Sequence, residues 1–152
     1  MESSNPCWNC KAVRTRRGEH VGRWTFGELT ITVAIPTAGC DACGEDLIHG
    51  EDLSRAENAV TRALVDAGST DPKALRWLRK AADLRANELA GLLGVAPETV
   101  SRREHGTRAI DRAALALVAS LALDAIDGMT TTRDRLRVLG AHPATGEVRA
   151  VA

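Results

Sequence analysis

All four cysteines of this chain lie in two Cys-x-x-Cys motifs, the first at residues 7–10 and the second at residues 40–43. Such a motif turns the backbone tightly and points two sulfurs to one side, so two motifs supply the four thiolates that a tetrahedral zinc ion prefers. With four thiolates no coordination position stays open for water, and the predicted zinc is therefore structural rather than catalytic. The predicted ligands are Cys7, Cys10, Cys40 and Cys43.

Two disulfide bonds or a thioredoxin-like redox pair are the alternative uses of these cysteines. A redox pair needs one Cys-x-x-Cys motif in a βαβ setting, whereas here two motifs flank a strand-like segment. The polar start Met1-Glu2-Ser3-Ser4 is unlike a secretory signal, and no apolar run is long enough to span a bilayer. We therefore favour zinc and expect a cytoplasmic protein.

The length of 152 residues allows one modest domain or two small ones. A stapled unit of residues 1–68 is plausible because structural zinc contributes on the order of 10 kcal/mol to folding, which a small core lacks by itself. The sequence predicts a zinc-binding domain at residues 1–68, a helix-turn-helix domain at 69–128, and a short helix with a loose tail at 129–152. The predicted fold class is α+β.

The formal net charge of zero conceals an asymmetry between the two halves. Residues 1–68 carry 7 basic and 10 acidic side chains, to which a zinc tetrathiolate would add two negative charges. Residues 72–112 carry 9 basic and 5 acidic side chains, a net of +4. The second half is thus suited to DNA, and the acidic first half is suited to docking a basic protein.

A strand and a helix are predicted for the first domain. Residues 28–35 alternate with period two and place Leu29, Ile31, Val33 and Ile35 on one buried face. The expected partner is the segment 20–26, with a bulge at Gly22, a turn at Gly27 and strand termination at Pro36 and Gly39. Residues 51–67 read as a helix that Gly68 ends. Its predicted apolar stripe is Leu53, Ala56, Val60, Leu64 and Ala67.

The second domain opens with Asp71-Pro72, an N-cap acceptor followed by proline at the first helical position. The helix that follows has an apolar stripe of Leu75, Leu78 and Ala82. Residues 86–104 then have the spacing of a helix-turn-helix. Ala90 is small where two helices cross, Gly94 permits the turn, and Val100 anchors the second helix.

A long helix rich in Ala and Leu is predicted from Asp111 to Asp127, closed by Gly128. Its apolar residues cover more than one face, which indicates either a homodimer interface or burial within one domain. These residues are Leu115, Leu117, Val118, Leu121 and Ala125. Residues 130–132 are expected to cap a last helix over 133–139, and the chain from Gly140 is expected to be a tail.

The order of these features resembles the MqsA-type antitoxins, also described as YgiT-type zinc finger proteins. In that family a zinc domain with two knuckles precedes an Xre-like helix-turn-helix domain. The segments that carry the resemblance are CWNC at 7–10, CDACGE at 40–45, LAGLLGV at 89–95 and TVSR at 99–102. The resemblance covers roughly residues 5–125, and its second half alone is similar to any Xre-like regulator.

The resemblance implies a homodimer that binds DNA, represses its own operon, and contacts a small toxin through the zinc domain. Such toxins are often ribonucleases that cut mRNA. Two alternatives stay open. One is a stand-alone regulator of the same build, and the other is a protein-interaction module for which DNA binding is secondary.

In a helix-turn-helix the second helix enters the major groove with its N-terminal half toward the base edges. The predicted DNA-contacting residues of this helix are Pro97, Glu98, Ser101 and Arg102. Arg102 is the best candidate for a base contact, because a guanidinium can pair with guanine O6 and N7, although a phosphate contact is the alternative. Glu98 either accepts from cytosine N4 or caps the helix. Thr99, Ser101 and Arg108 are predicted phosphate ligands.

Two positions depart from the Xre-like pattern. Ala86 stands where a phosphate-contacting Gln is frequent, so Arg85 or Asn87 is expected to take over that contact. Arg103 stands where an aromatic residue usually packs, and a buried unpaired guanidinium is costly. Arg103 must therefore reach solvent, DNA or an acidic partner such as Glu104 or Asp111.

The four histidines, His20, His49, His105 and His142, are scattered and have no neighbour at a spacing typical of a catalytic dyad. They are predicted to lie at the surface. No catalytic residues are predicted, and the chain is not expected to be an enzyme.

Overall fold

A computed structural model describes residues 6–13 and 16–141 of the chain. Contacts divide the chain into two compact units, one ending at Ser69 and the other beginning at Thr70. An antiparallel sheet and one helix form the first unit, and helices form the second. The predicted α+β fold class is confirmed.

The sheet of the first unit contains β1 (Arg16–Phe26), β2 (Leu29–Gly39) and the short β3 (Asp46–Leu47), in the order β1-β2-β3. The pairing of β1 and β2 is antiparallel and uninterrupted from Arg16 opposite Gly39 to Phe26 opposite Leu29. Gly27 adopts a φ of 59° in the connecting turn, as predicted. The hairpin is longer at its open end than the sequence indicated.

Two expectations about β1 and β2 are wrong. Gly22 marks no bulge, since it pairs directly with Val33. A Cβ at Gly22 would lie 2.5 Å from the Trp24 indole, so a close side chain explains this glycine. Pro36 does not end β2 but pairs with Glu19 inside the strand. Because β3 pairs only with Ala38 and Gly39, β2 has a free edge at Pro36, where a missing N–H is tolerated.

Helix α1 (Gly50–Ala67) packs against β2 and ends at Gly68, which has a φ of 60°. The middle of the predicted stripe is buried, whereas its end residues Leu53 and Ala67 are exposed. The apolar core of this unit comprises Phe26, Ile35, Ala56, Val60 and Leu64.

The second unit contains α2 (Pro72–Ala81), α3 (Ala86–Leu93), α4 (Pro97–Glu104), α5 (Arg112–Ile126) and α6 (Thr131–Ala141). Asp71 caps α2 by accepting a hydrogen bond from the Lys73 N–H at 2.9 Å. Helix α2 packs on α4 and α5, and α3 packs on α4 and α6. The buried apolar side chains of this core include Leu75, Leu78, Leu84, Leu89, Val100, Val118 and Leu121.

The faces of α5 differ in exposure. Val118 and Leu121 are buried, whereas Leu115, Leu117 and Ala125 are half-buried. The second unit therefore buries only part of the apolar surface that the sequence predicts for this helix.

Helix α6 packs on α5 and α3. It begins two residues before the predicted start at Arg133 and includes Gly140, which was expected to lie in the tail. Arg133 Nη2 donates to the carbonyl of Ala82 at 2.7 Å, and this contact between distant segments was not visible in the sequence. The tail from residue 142, including His142, lies outside the described residues. No helix within the described part of the chain has the length and apolar character needed to cross a bilayer.

Candidate metal centre and nucleic-acid interface

The four cysteine sulfurs form a single cluster in the first unit, in which all Sγ atoms lie within 4.8 Å of one another. The Sγ atoms of Cys7 and Cys43 are 3.6 Å apart, and those of Cys10 and Cys40 are 3.4 Å apart. These separations exceed the roughly 2.0 Å of a disulfide bond and approach the roughly 3.8 Å between thiolates around a tetrahedral zinc ion. The cluster is therefore able to hold a metal ion.

Both knuckles have the same backbone geometry. The Lys11 N–H donates to the carbonyl of Cys7 at 2.8 Å, and the Gly44 N–H donates to that of Cys40 at 2.8 Å. Lys11 and Gly44 both adopt a positive φ, of 65° and 78°. This conformation turns the chain back over the sulfurs. A positive φ at Gly44 is expected, because glycine adopts this conformation readily. Nothing in the sequence indicated a positive φ at Lys11.

Backbone N–H groups of each knuckle also polarise the sulfurs. The N–H of Cys10 bonds to the Cys7 thiol and lowers its pKa to about 6. The N–H of Cys43 lowers the pKa of Cys40 in the same way. Both effects favour the thiolates of Cys7 and Cys40, which are the form that binds metal. The backbone N–H of Ala12 lowers the pKa of Cys10, but the neighbouring Cys40 sulfur and burial raise it to about 12.

An ion pair closes the sheet next to the second knuckle. Arg16 Nη2 lies 2.6 Å from Asp46 Oδ1, joining β1 to β3 across Gly39. A Cβ at Gly39 would lie 2.5 Å from the Arg16 side chain, so a larger residue there would displace the ion pair. The sequence did not indicate this contact, because Arg16 and Asp46 are far apart in the chain.

The second unit contains the helix-turn-helix. Helix α3 ends at Leu93, Gly94 adopts a φ of 64°, and α4 begins at Pro97. Ala90 of α3 and Val100 of α4 are each 1% exposed, and the two helices pack on each other. The predicted turn at Gly94 is confirmed, and the burial of Ala90 and Val100 is consistent with their predicted roles.

The predicted DNA-contacting residues occupy the outer side of this unit. On α4, Pro97, Glu98, Ser101 and Arg102 are exposed and Thr99 is half-buried. Arg108 is exposed in the loop that follows α4, and Arg85 and Asn87 are exposed at the start of α3. Val100 and Arg103 are buried on the opposite side of α4. The helix therefore presents one polar face to solvent.

The side chain and the backbone N–H of Arg85 both bind Glu88 at the start of α3. Glu88 accepts hydrogen bonds from the backbone N–H of Arg85 at 2.7 Å and from its Nη2 at 3.0 Å. The Arg85 side chain is the main reason that the pKa of Glu88 falls to about 2. Among the described residues, Asn87, the other expected replacement for the Gln, has no such contact to a neighbouring carboxylate.

Arg103, which stands where Xre-like proteins usually have an aromatic residue, is paired with Asp111. Arg103 is 8% exposed, and its Nη2 donates to Asp111 Oδ2 at 2.6 Å. Glu104, the other predicted partner, instead receives hydrogen bonds from Arg79 on α2. The Arg103 guanidinium is therefore buried within the unit and paired with Asp111, and it does not extend into solvent.

The histidines of the described part take no part in the cysteine cluster. His20, His49 and His105 are exposed, as predicted. The Nδ1 of His105 lies 2.7 Å from the Ser101 carbonyl, at the end of α4.

A metal-binding cysteine module followed by a helix-turn-helix module defines the general class of this protein. The family model described as the antitoxin component of bacterial toxin-antitoxin systems, MqsA, matches residues 2–125. The chain therefore belongs to the MqsA antitoxin family, which confirms the resemblance found in the sequence. A search of curated proteins found no match.

Proposed function

We propose that this antitoxin represses its own operon by inserting α4 into the major groove of operator DNA. The observation that carries the proposal is the exposed polar face of α4, opposite the buried Val100. Family membership supports the same role. The net charge of +4 over residues 72–112 favours binding to phosphates.

Within this proposal, Arg102 reads a base, because it is exposed on α4 and a guanidinium pairs bidentately with guanine. Glu98 and Pro97 lie at the helix start, closest to the base edges. Thr99, Ser101 and Arg108 contact phosphates and fix the register, and Arg85 and Asn87 do so from the start of α3.

The metal of the first unit is proposed to be one structural Zn²⁺ held by Cys7, Cys10, Cys40 and Cys43. Four sulfur donors suit zinc, and two of them are buried and two exposed. The metal would hold both knuckles to the sheet and supply folding energy that the small core lacks. A role in catalysis is not proposed.

The first unit is also proposed to bind a small basic toxin. Its 10 acidic side chains against 7 basic ones in residues 1–68 favour a basic partner. Trp8, in the first knuckle, is 63% exposed, and exposed tryptophans are typical anchors of protein interfaces.

A homodimer through the helices of the second unit completes the proposal. Leu115 and Leu117 of α5 are half-buried, and Val138 and Leu139 of α6 are 73% and 80% exposed. Two copies of α4 would then contact two half-sites of a palindromic operator.

A stand-alone regulator without a toxin is the second candidate, favoured by the basic charge of the second unit, which serves DNA binding whether or not a partner is present. A protein-interaction module with secondary DNA binding is the third.

Co-purification of the tagged chain from its own operon, followed by a mobility shift with the DNA upstream of its gene, separates the three. A basic partner together with a shifted fragment supports the autorepressing antitoxin. A shift without a partner supports the regulator, and a partner without a shift supports the interaction module and contradicts the proposed repression.

A further inference from the structure

The buried position of Arg103 is energetically unfavourable for the folded state. Arg103 lies in the last turn of α4, directly after the exposed Arg102, and its Nε and Nη1 are buried without a hydrogen-bond partner among the described residues. Only Nη2 is paired, with a carboxylate that is itself 56% exposed. Buried donors without partners destabilise a protein, and apolar residues often replace buried ion pairs without loss of stability. Stability is therefore a weak reason for an arginine at position 103.

Its partner Asp111 has two separate contacts. One carboxylate oxygen, Oδ1, accepts a hydrogen bond from the Ala114 N–H at 2.8 Å and caps α5. The other, Oδ2, accepts from Arg103. The same side chain thus fixes the start of α5 and ties it to the end of α4.

The loop between these helices, residues 105–110, is held at two further places. The carbonyl of Arg102 accepts from the Thr107 N–H at 3.0 Å, the Arg108 N–H at 3.2 Å and the Thr107 hydroxyl at 3.2 Å. Gly106 has a φ of 75° and lies so close to Pro72 that a Cβ would be 3.2 Å from its ring. These contacts fix where the loop leaves α4, and the Arg103–Asp111 pair fixes where it joins α5.

We propose that the Arg103–Asp111 pair positions the loop 105–110 so that Arg108 and Arg102 contact the same DNA duplex in one register. Arg103 is buried, so it is a positioning residue and does not touch DNA. The inference rests on the proposed binding of operator DNA by α4. It adds the means by which the loop is held for that binding.

Asp111→Asn breaks the pair while keeping the helix cap. The amide oxygen of the new side chain continues to accept from the Ala114 N–H, and its amide nitrogen then faces Arg103 in place of Oδ2. Arg103→Leu removes the guanidinium and its unpaired donors. Arg108→Ala removes the proposed phosphate contact, and Arg135→Ala, an exposed arginine of α6, is the matched control.

Affinity for the duplex upstream of the gene is measured by fluorescence anisotropy over a series of salt concentrations, using the full chain. Arg108→Ala is expected to weaken binding on the order of tenfold and to lower the log–log salt slope by about 0.9, the value for one phosphate contact. Asp111→Asn and Arg103→Leu are expected to change both quantities in the same direction. Combining Asp111→Asn with Arg108→Ala should add little further loss, because both act on one contact.

Thermal unfolding separates positioning from general destabilisation. Arg103→Leu is expected to unfold at or above the wild-type temperature although it binds DNA more weakly. If Arg103→Leu is unstable, the DNA affinity of Asp111→Asn still tests whether the pair positions the loop. Wild-type affinity and slope for Asp111→Asn, or a loss that simply adds to that of Arg108→Ala, would overturn the positioning role.

The outcomes also separate this inference from the proposed function. If the wild-type protein does not bind the upstream duplex, both are wrong. If it binds and Arg102→Ala weakens binding while Asp111→Asn does not, operator binding stands and the positioning role is wrong.

Discussion

The carboxylate of Glu104, at the end of α4, receives two hydrogen bonds from the guanidinium of Arg79 on α2. Nε donates to Oε1 at 2.5 Å and Nη2 donates to Oε2 at 3.1 Å. Arg79 Nη1 also donates to the Leu84 carbonyl at 2.7 Å, so one side chain joins α2, α4 and the connection to α3. The pair thereby fixes the proposed recognition helix against its support.

Arg79→Met is expected to lower the free energy of unfolding of the second unit by about 3–5 kcal/mol, since it leaves the buried carboxylate of Glu104 without its cation. The side chains of Arg79 and Glu104 are only 11% and 7% exposed, so water cannot replace the lost contact. Urea unfolding followed by helical circular dichroism gives the value. Arg76→Met, at an exposed position of the same helix, should change it little, and equal effects would contradict the prediction.

Removal of the metal is expected to unfold the first unit and leave the second folded. The sheet and α1 bury a small core, whereas the helical core of the second unit contains no proposed ligand. Mass spectrometry should find one zinc per chain, and amide NMR signals of β1 and β2 should collapse on chelation. Cys40→Ser should reproduce this result. A metal-free chain with an intact sheet would disprove the structural role.

Stability should depend on Glu88 in acid. Its pKa is about 2 in the folded protein against an ordinary 4.5, chiefly because of the Arg85 side chain. A lowered folded pKa stabilises the protein above the unfolded pKa, and this contribution is lost as the pH falls from about 4.5 to about 2. The wild type should therefore exceed Glu88→Gln in stability at neutral pH, with the difference vanishing near pH 2. Carbon NMR titration of the Glu88 carboxyl gives the folded pKa, and an ordinary value would refute the argument.

Arg102→Ala is expected to weaken operator binding by about 1–3 kcal/mol, roughly 5- to 150-fold, and to relax the preference for one base pair. Arg23→Ala, an exposed arginine of β1 in the acidic unit, is the matched control and should bind as the wild type does. Competition with operators altered at single base pairs measures both effects. An unchanged affinity and salt slope for Arg102→Ala would show that α4 is not the recognition helix.

Features with local causes were predicted well. The two knuckles follow from residue spacing, the strand face from period-two alternation, and the ends of α1 and α3 from Gly68 and Gly94. Asp71 caps α2 as predicted, because an N-cap needs only a carboxylate at the helix start. In each case the physical cause acts within a few residues.

Errors arose where the surroundings of a residue in the folded chain, rather than its residue type, decided the structure. Gly22 suggested a bulge, yet the nearby Trp24 indole accounts for it. Pro36 suggested a strand end, yet the shortness of β3 leaves room for it in the sheet. A single sequence does not show which side chain or strand edge lies beside such a residue.

The sequence by itself therefore determined the general class of this protein, the cysteine cluster and the helix that presents Arg102, because these depend on spacing and periodicity. Only the tertiary structure decided which acid pairs with which base. Glu104 joined Arg79, and Asp111 joined Arg103, because helix packing brings together groups that are 25 and 8 residues apart. A charge in a sequence has many candidate partners, and burial selects the one that can satisfy it.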